Sequence, residues 1–395
     1  MVKGNKRLVL IFGLIAIMVV LFAQCMNNKK TAPATENTIA GAATCRQCHA
    51  EIADSYLQNP HQHTSHAIKG DELVNGPLPH SSVFAFNAQL KIIVEKRDSG
   101  MYQVAYLDGK EVAARRFDIA FGAGVKAYTY ASWQGNELKQ LPLSYFRVIQ
   151  SWANSPGFPS DRVYFDRPIG IRCLECHSSF VNRKLVKSGP LSVKEELDGK
   201  TLVYGIDCER CHGPAGKHVE FHLDHPEVKT AKYIASYKTL TRQQKIDACA
   251  VCHSGNDWQV QQSTFSFKPG DDLKKYRGAT AGLSANKEPV LDVHGNQSQL
   301  LQKSNCFIAS KTMDCSSCHR THENLKGNLT IYSQRCMSCH TTIKHSKSTL
   351  ANALVKTNCI DCHMPKQSSK LISFQLAGKN QLSSYSLRTH KIGVY

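Results

Sequence analysis

One arrangement of reactive residues repeats along the chain: two cysteines three positions apart, with a histidine directly after the second. It first stands at Cys45-Arg-Gln-Cys48-His49. It returns at Cys173/Cys176/His177, Cys208/Cys211/His212, Cys249/Cys252/His253, Cys315/Cys318/His319, Cys336/Cys339/His340 and Cys359/Cys362/His363. These seven copies use all but two of the 16 cysteines. Thiols at this spacing can add to the two vinyl groups of one haem, and the adjacent imidazole then reaches the iron. That is the c-type attachment chemistry of C-x-x-C-H. Zinc sites pair C-x-x-C units but need no histidine fixed after each one. A thioredoxin-like centre uses a single C-x-x-C near a βαβ pattern. Disulfides would leave the seven following histidines unexplained. The sequence therefore predicts seven covalently bound c-type haems, with the motif cysteines as thioether donors and the motif histidines as proximal iron ligands.

Composition fits that expectation. A chain of 395 residues has room for two or three ordinary domains. Only 42% of the residues are apolar, cysteines included, so flat macrocycles would replace much side-chain core. Lys and Arg number 49 against 31 Asp and Glu, a formal charge of +18. Each haem brings two propionates, so most of that charge reads as haem counter-charge. A nucleic-acid partner, which a basic chain would otherwise suggest, is set aside. Collagen-like, coiled-coil and multi-span membrane classes are excluded, because Gly is only 25, no heptads persist, and a single long apolar run exists.

That run lies at the start. Met1 to Arg7 is short and basic, Leu8 to Ala23 is apolar, and Cys25 follows. The pattern reads as an export leader over residues 1–24. Cys25 stands where a lipoprotein precursor would be cut and acylated, although Gln24 is an unusual predecessor. An uncleaved N-terminal anchoring helix is the competing reading, thin for a bilayer. Either reading leaves the protein exported and membrane-attached, in the periplasm or at the cell surface. Residues 25–41 then form a tether.

Residues 42–79 make a first haem segment, with a short helical turn over Glu51 to Gln58. Residues 80–170 hold no cysteine and alternate instead, at Lys91 to Glu95, Met101 to Tyr106 and Glu111 to Phe121. Asp108-Gly109 between such runs is a hairpin signal. Tyr128 to Trp133 and Glu137 to Leu141 predict a second hairpin about Gln134-Gly135-Asn136. The stretch is expected to be an inserted antiparallel β module. Tyr128, Trp133 and Tyr145 read as its packing residues rather than a cavity lining. Residues 171–395 carry six motifs, the last three only 21 and 23 residues apart from Cys315 to Cys336 to Cys359. The expected fold is mainly α and irregular, with short helices and long loops around packed haems, plus the β module. Cys306, unpaired once Cys25 is acylated, reads as a buried thiol.

Several phrases resemble those of periplasmic multihaem cytochromes c, the group that includes the tetrahaem cytochrome of nitrifying bacteria. They are Gly205-Ile-Asp-Cys-Glu-Arg-Cys-His-Gly-Pro214 with His218, Met313-Asp-Cys-Ser-Ser-Cys-His319 with His322, and Asn358-Cys-Ile-Asp-Cys-His-Met-Pro365. In the β module Phe121-Gly-Ala-Gly124, Leu141-Pro-Leu-Ser-Tyr145 and Trp152-Ala-Asn-Ser-Pro-Gly157 are also similar to a branch of that group. Eleven histidines lie outside the motifs: 61, 63, 66, 80, 218, 222, 225, 294, 322, 345 and 390. The resemblance picks His61, His218, His294, His322, His345 and His390 as distal iron ligands. His222, one helical turn after His218, is the seventh candidate, with His63 and His66 behind it. Irons held by two imidazoles carry electrons, whereas an enzyme needs an exchangeable position. The expected function is therefore an electron-carrying heptahaem cytochrome without catalytic side chains. It would exchange with other redox proteins, among them a membrane quinol-oxidising complex. The alternative is an oxidoreductase acting on a small nitrogen or sulfur compound at one five-coordinate haem.

Overall fold

The computed structural model describes residues 34–69, 82–280, 290–342, 344–346, 353–379 and 381–395, with Gly13 and Met18 as isolated positions. Cys25 and His80 lie outside the described residues. Among the described residues no helix is long and apolar enough to cross a membrane.

Alternating apolar residues build the first sheet. Val83–Ala85, Leu90–Arg97, Gly100–Leu107 and Lys110–Arg116 pair antiparallel in chain order. Leu107 pairs with Lys110, leaving a two-residue turn in which Asp108 (φ 49°) and Gly109 (φ 77°) both take left-handed backbone. That is the turn whose twist matches paired strands. The second expected hairpin is also present, with Ala127–Gln134 against Glu137–Gln140 and Gln134 paired with Glu137.

These strands belong to a larger sheet, which also takes in Ser65–Ala67, Ile119–Phe121, Leu143–Phe146, Ser151–Asn154 and Arg167–Ile169. The two sheets bury one shared core. Phe84, Ile92, Val94 and Met101 from the smaller meet Tyr130, Leu143, Tyr145 and Trp152 from the larger. The buried Gln103 amide fastens them: Nε2 donates to the Leu143 carbonyl and Oε1 accepts from the Leu143 N–H, each at 2.9 Å. Tyr145 is core, and Tyr128 and Trp133 pack against core clusters, in keeping with a packing role.

The expectation of a mainly α and irregular fold is overturned. Strands hold 31% of the chain and helices 26%. Two β segments lie where short helices and loops were expected. Ser178–Gly189 pairs with Ser192–Tyr204 as a long hairpin between the second and third motifs. Its Lys-Glu-Glu-Leu stretch at 194–197 has the composition of a helix. Burial of Val181, Leu197 and Leu202 against the large sheet overrides that preference, and charge pairs add to it: Arg183 reaches Glu195 at 2.9 Å, and Lys194 reaches Glu137 of the large sheet at 3.1 Å. At the other end of the chain, Lys366–Gln375 and Leu382–Arg388 join the large sheet through Asn154 and Gln375. Phe374 stacks on Phe146 with ring centres 4.3 Å apart.

The cysteine motifs sit on short helices. These are Ala42–Cys48, Ile171–His177, Cys208–His212, the end of Arg242–His253, the end of Leu329–Met337, and Cys359–His363, with a 3₁₀ turn at Cys315–Ser317. A helix of five to seven residues is not stable alone, so caps and neighbours hold it. Asp207 accepts from Arg210 N at 3.0 Å, and Asn358 accepts from Asp361 N at 3.2 Å. Thr241 and Gln244 cap each other reciprocally.

Candidate haem centres

A C-x-x-C step on one helical turn brings both sulfurs to the same side of the helix. The structure then supplies what sequence spacing cannot, a facing histidine for five of the seven motif histidines. His49 faces His218 with ring centres 6.4 Å apart, and His212 faces His322 at 6.0 Å. His253 faces His61 at 6.0 Å, His319 faces His390 at 6.1 Å, and His363 faces His345 at 5.9 Å. His294 lies within electrostatic range of His177. A histidine nitrogen sits about 2 Å from a transition metal, with its ring centre about 1 Å further back, so imidazoles on opposite sides of one ion have centres about 6 Å apart. Every measured pair meets that spacing.

The ring orientations agree with ligation. His363 Nδ1 donates to the Gly393 carbonyl at 2.8 Å, and His218 Nδ1 donates to the Lys232 carbonyl at 2.8 Å. His61 Nδ1 lies 3.1 Å from Asn59 Oδ1. Such bonds fix the ring and leave Nε2 for the metal, the usual outer-shell support of a ligating histidine. Burial favours the neutral, ligating form. It holds His253 and His390 down at about 4, and lowers His61, His177, His212, His294 and His319 as well.

The surroundings fit a macrocycle. Desolvation pushes the Cys211 thiol up and His177 and His253 down, although their side chains are not packed against neighbours. No group of three or more His, Cys, Asp or Glu among the described residues is placed to hold a bare metal ion.

The remaining expectations sort differently. Among the motif thiols, Cys48, Cys173, Cys211, Cys339 and Cys362 are exposed. Cys362 lies on Cys359–His363, whose one buried residue is Ile360. His340 is exposed as well, and Cys306 is half-buried rather than buried. His222 faces no motif histidine; it lies against His218, ring centres 4.6 Å apart, with a buried Nε2 that has no hydrogen-bond partner. His63 spends its Nε2 on the Leu57 carbonyl at 2.7 Å. His66 meets Tyr128 edge-on at 6.2 Å.

Two residues were missed by sequence reasoning, both inside a C-x-x-C step. Glu175 is buried and accepts from Ser263 Oγ at 2.6 Å and Thr264 N at 3.0 Å. Glu209 is buried and accepts from three backbone N–H groups, Ala40 (2.9 Å), Gly41 (2.8 Å) and Ala215 (2.8 Å). No sequence signal sets them apart from Asp361, which stands between two cysteines on an equally short helix and is exposed.

No known protein-family model matches the chain, and no solved structure matches it. Multiheme cytochrome MtrA of Shewanella baltica (strain OS185) is 25% identical over 183 residues, covering 42% of this chain and 51% of that protein. The chain spans about half the length of this curated relative. The likeness supports a multihaem cytochrome and, in that coarse sense, electron transfer.

Proposed function

We propose that the chain is a seven-haem c-type cytochrome that carries electrons outside the cytoplasmic membrane, held there by a lipid on Cys25. The observation that carries this reading is the set of five histidine pairs with ring centres 5.9–6.4 Å apart, each containing one motif histidine. The fourteen motif cysteines would hold the haems by thioether bonds. His49, His177, His212, His253, His319, His340 and His363 would be proximal ligands. His61, His218, His294, His322, His345 and His390 would be distal ones. Bound haem supplies one-electron redox chemistry that side chains cannot. The chain's own part would be to hold the ligating imidazoles in place and keep them neutral.

Intact mass tests the loading: the mature protein should exceed its apo mass by seven haems, and a smaller excess, or zinc instead, overturns the reading. Electron paramagnetic resonance of the oxidised protein tests the ligation. Near-parallel rings (18°, 6° and 19° for His49/His218, His212/His322 and His319/His390) and steep ones (80° and 61° for His61/His253 and His345/His363) should give two classes of low-spin signal. His390→Ala should convert one low-spin centre to a high-spin one that binds cyanide. Several high-spin centres in the unaltered protein would favour an enzyme instead.

A further inference from the structure

We propose that the tip of the long hairpin, residues 184–194, rests on an anionic lipid surface and gives the chain a second membrane contact. The inference builds on the attachment through Cys25 proposed above.

The two halves of the hairpin differ. The inner half is seated: Val181, Leu197 and Leu202 are buried in the core of the large sheet, and the Leu197 N–H donates to the Asn136 carbonyl at 2.8 Å. The outer half is not. Leu185 is 64% exposed, Val193 is 62% exposed, and Leu191 is completely so. Leu185 lies opposite Glu195 and Lys187 lies opposite Val193. This register puts Leu185 and Val193 on one face of the ribbon as diagonal neighbours, within reach of each other. Leu191 stands at the turn between the paired Gly189 and Ser192. An exposed apolar patch of this kind, bordered by polar residues, marks an interaction site.

The charge around the patch selects the occupant. Between Glu175 and Glu195 the sequence has no acidic residue and four basic ones, Arg183, Lys184, Lys187 and Lys194. Glu195 holds Arg183 at 2.9 Å, and Glu196 holds Lys194 at 3.0 Å. Lys184 and Lys187 remain exposed beside the apolar tip. Apolar side chains that enter the headgroup layer, next to lysines that meet anionic headgroups, are the means of binding a bilayer surface. A protein partner fits less well. A stable interface takes about 800 Å² from each side. Two strands about 5 Å apart make a tip too narrow to supply that area, whereas a bilayer sets no such minimum.

Reach agrees with this occupant. Ala40 and Gly41 are bonded to Glu209, five residues beyond the hairpin's last residue Tyr204. The tether is thus fixed near the hairpin's root. A lipid on Cys25 is nine residues from Ala34 and can lie up to about 30 Å from it. The strand from Ser178 to Gly189 extends about 35 Å. Lipid and tip therefore reach similar distances, and one bilayer can take both.

The test is lysine acetylation of the full haem-loaded protein, read by peptide mass spectrometry. The protein is mixed with vesicles of phosphatidylcholine alone and with vesicles that also contain phosphatidylglycerol. Lys184 and Lys187 should lose most of their acetylation on the anionic vesicles, while Lys110, exposed on the smaller sheet, keeps its own. Leu185→Ser with Leu191→Ser should restore labelling of both lysines without changing haem content, since neither side chain is buried. Equal labelling on the two kinds of vesicle overturns the hairpin proposal, and so does protection that persists in the double variant. Protection in native membranes that survives dissolving the lipid in detergent assigns a protein partner and also overturns it. Failure to sediment with phosphatidylcholine vesicles overturns the Cys25 attachment instead, and protection on anionic vesicles would then still support the hairpin.

Discussion

Between Val83 and Ile169 the chain buries Phe84, Ile92, Leu141, Leu143 and Trp152 against one another. From Cys208 to His363 the described residues form one small apolar cluster of Val251, Phe267 and Tyr276, and other buried apolar residues such as Ile246 and Phe307 lie outside it. The first region is held by side-chain packing and sheet pairing. The second is arranged around thiols and paired imidazoles, on helices too short to stand alone. The difference teaches that the two regions should depend on different things: the β region on its own hydrophobic contacts, the motif region on the groups its cysteines bind.

The largest effect should come from removing one motif's thiols. Cys249→Ala with Cys252→Ala takes away both thiols of the motif on Arg242–His253, the helix that carries the most buried residues of this region. Limited proteolysis read by mass spectrometry should then cut residues 205–363 rapidly and leave 82–169 protected. Equal cutting of both regions would erase the distinction. Next is Trp152→Ala in the β core, which should cost about 3–5 kcal/mol in stability while haem content and low-spin spectra stay unchanged. Gln103→Ala strands the Leu143 N–H and carbonyl between the sheets and should cost about 1–3 kcal/mol, seen as a lower denaturant midpoint of the β region alone.

The smallest effect concerns the seam between the large sheet and the long hairpin. Bonds from Lys139 and then Lys194 hold the Glu137 carboxyl below the usual carboxylate range. A carboxylate depressed in the folded state stabilises above its unfolded value, and that contribution fades as pH falls through the lowered value. Glu137→Gln should therefore cost about 0.2–1 kcal/mol at neutral pH, and wild type and variant should converge in acid. A constant gap across the pH range would show that the loss is packing, not charge.

Sequence reading reached different depths in the two regions. The Asp108-Gly109 turn and the Glu137 hairpin were legible because alternation and turn chemistry are local. The motifs were legible because attachment chemistry demands adjacent residues. How deep each motif lies was not: Glu175 and Asp361 hold the same place in their motifs, yet one is buried and the other exposed. The hairpin at 178–204 was not legible either, since its helix-forming residues become strand only when Val181, Leu197 and Leu202 pack against the large sheet. The histidine pairs illustrate the same limit. Distal candidates such as His61 and His390 could be named, but their pairing with His253 and His319 spans the fold and leaves no mark in spacing. His222 stood at a helical interval from His218 that suggested a ligand, yet its ring turns toward His218 rather than toward a motif.

The Glu209 carboxylate also sets a clock. It holds the N–H groups of Ala40 and Gly41 across separations of 169 and 168 residues, and the Gly216 N–H is bonded to the Thr38 carbonyl at 2.8 Å. Chains are made from the N-terminus, so Cys45 and Cys48 emerge long before the segment that clamps them. Loop closure on this scale comes late. The first motif to appear is thus among the last to lock, and its two thiols stay accessible for most of the protein's maturation.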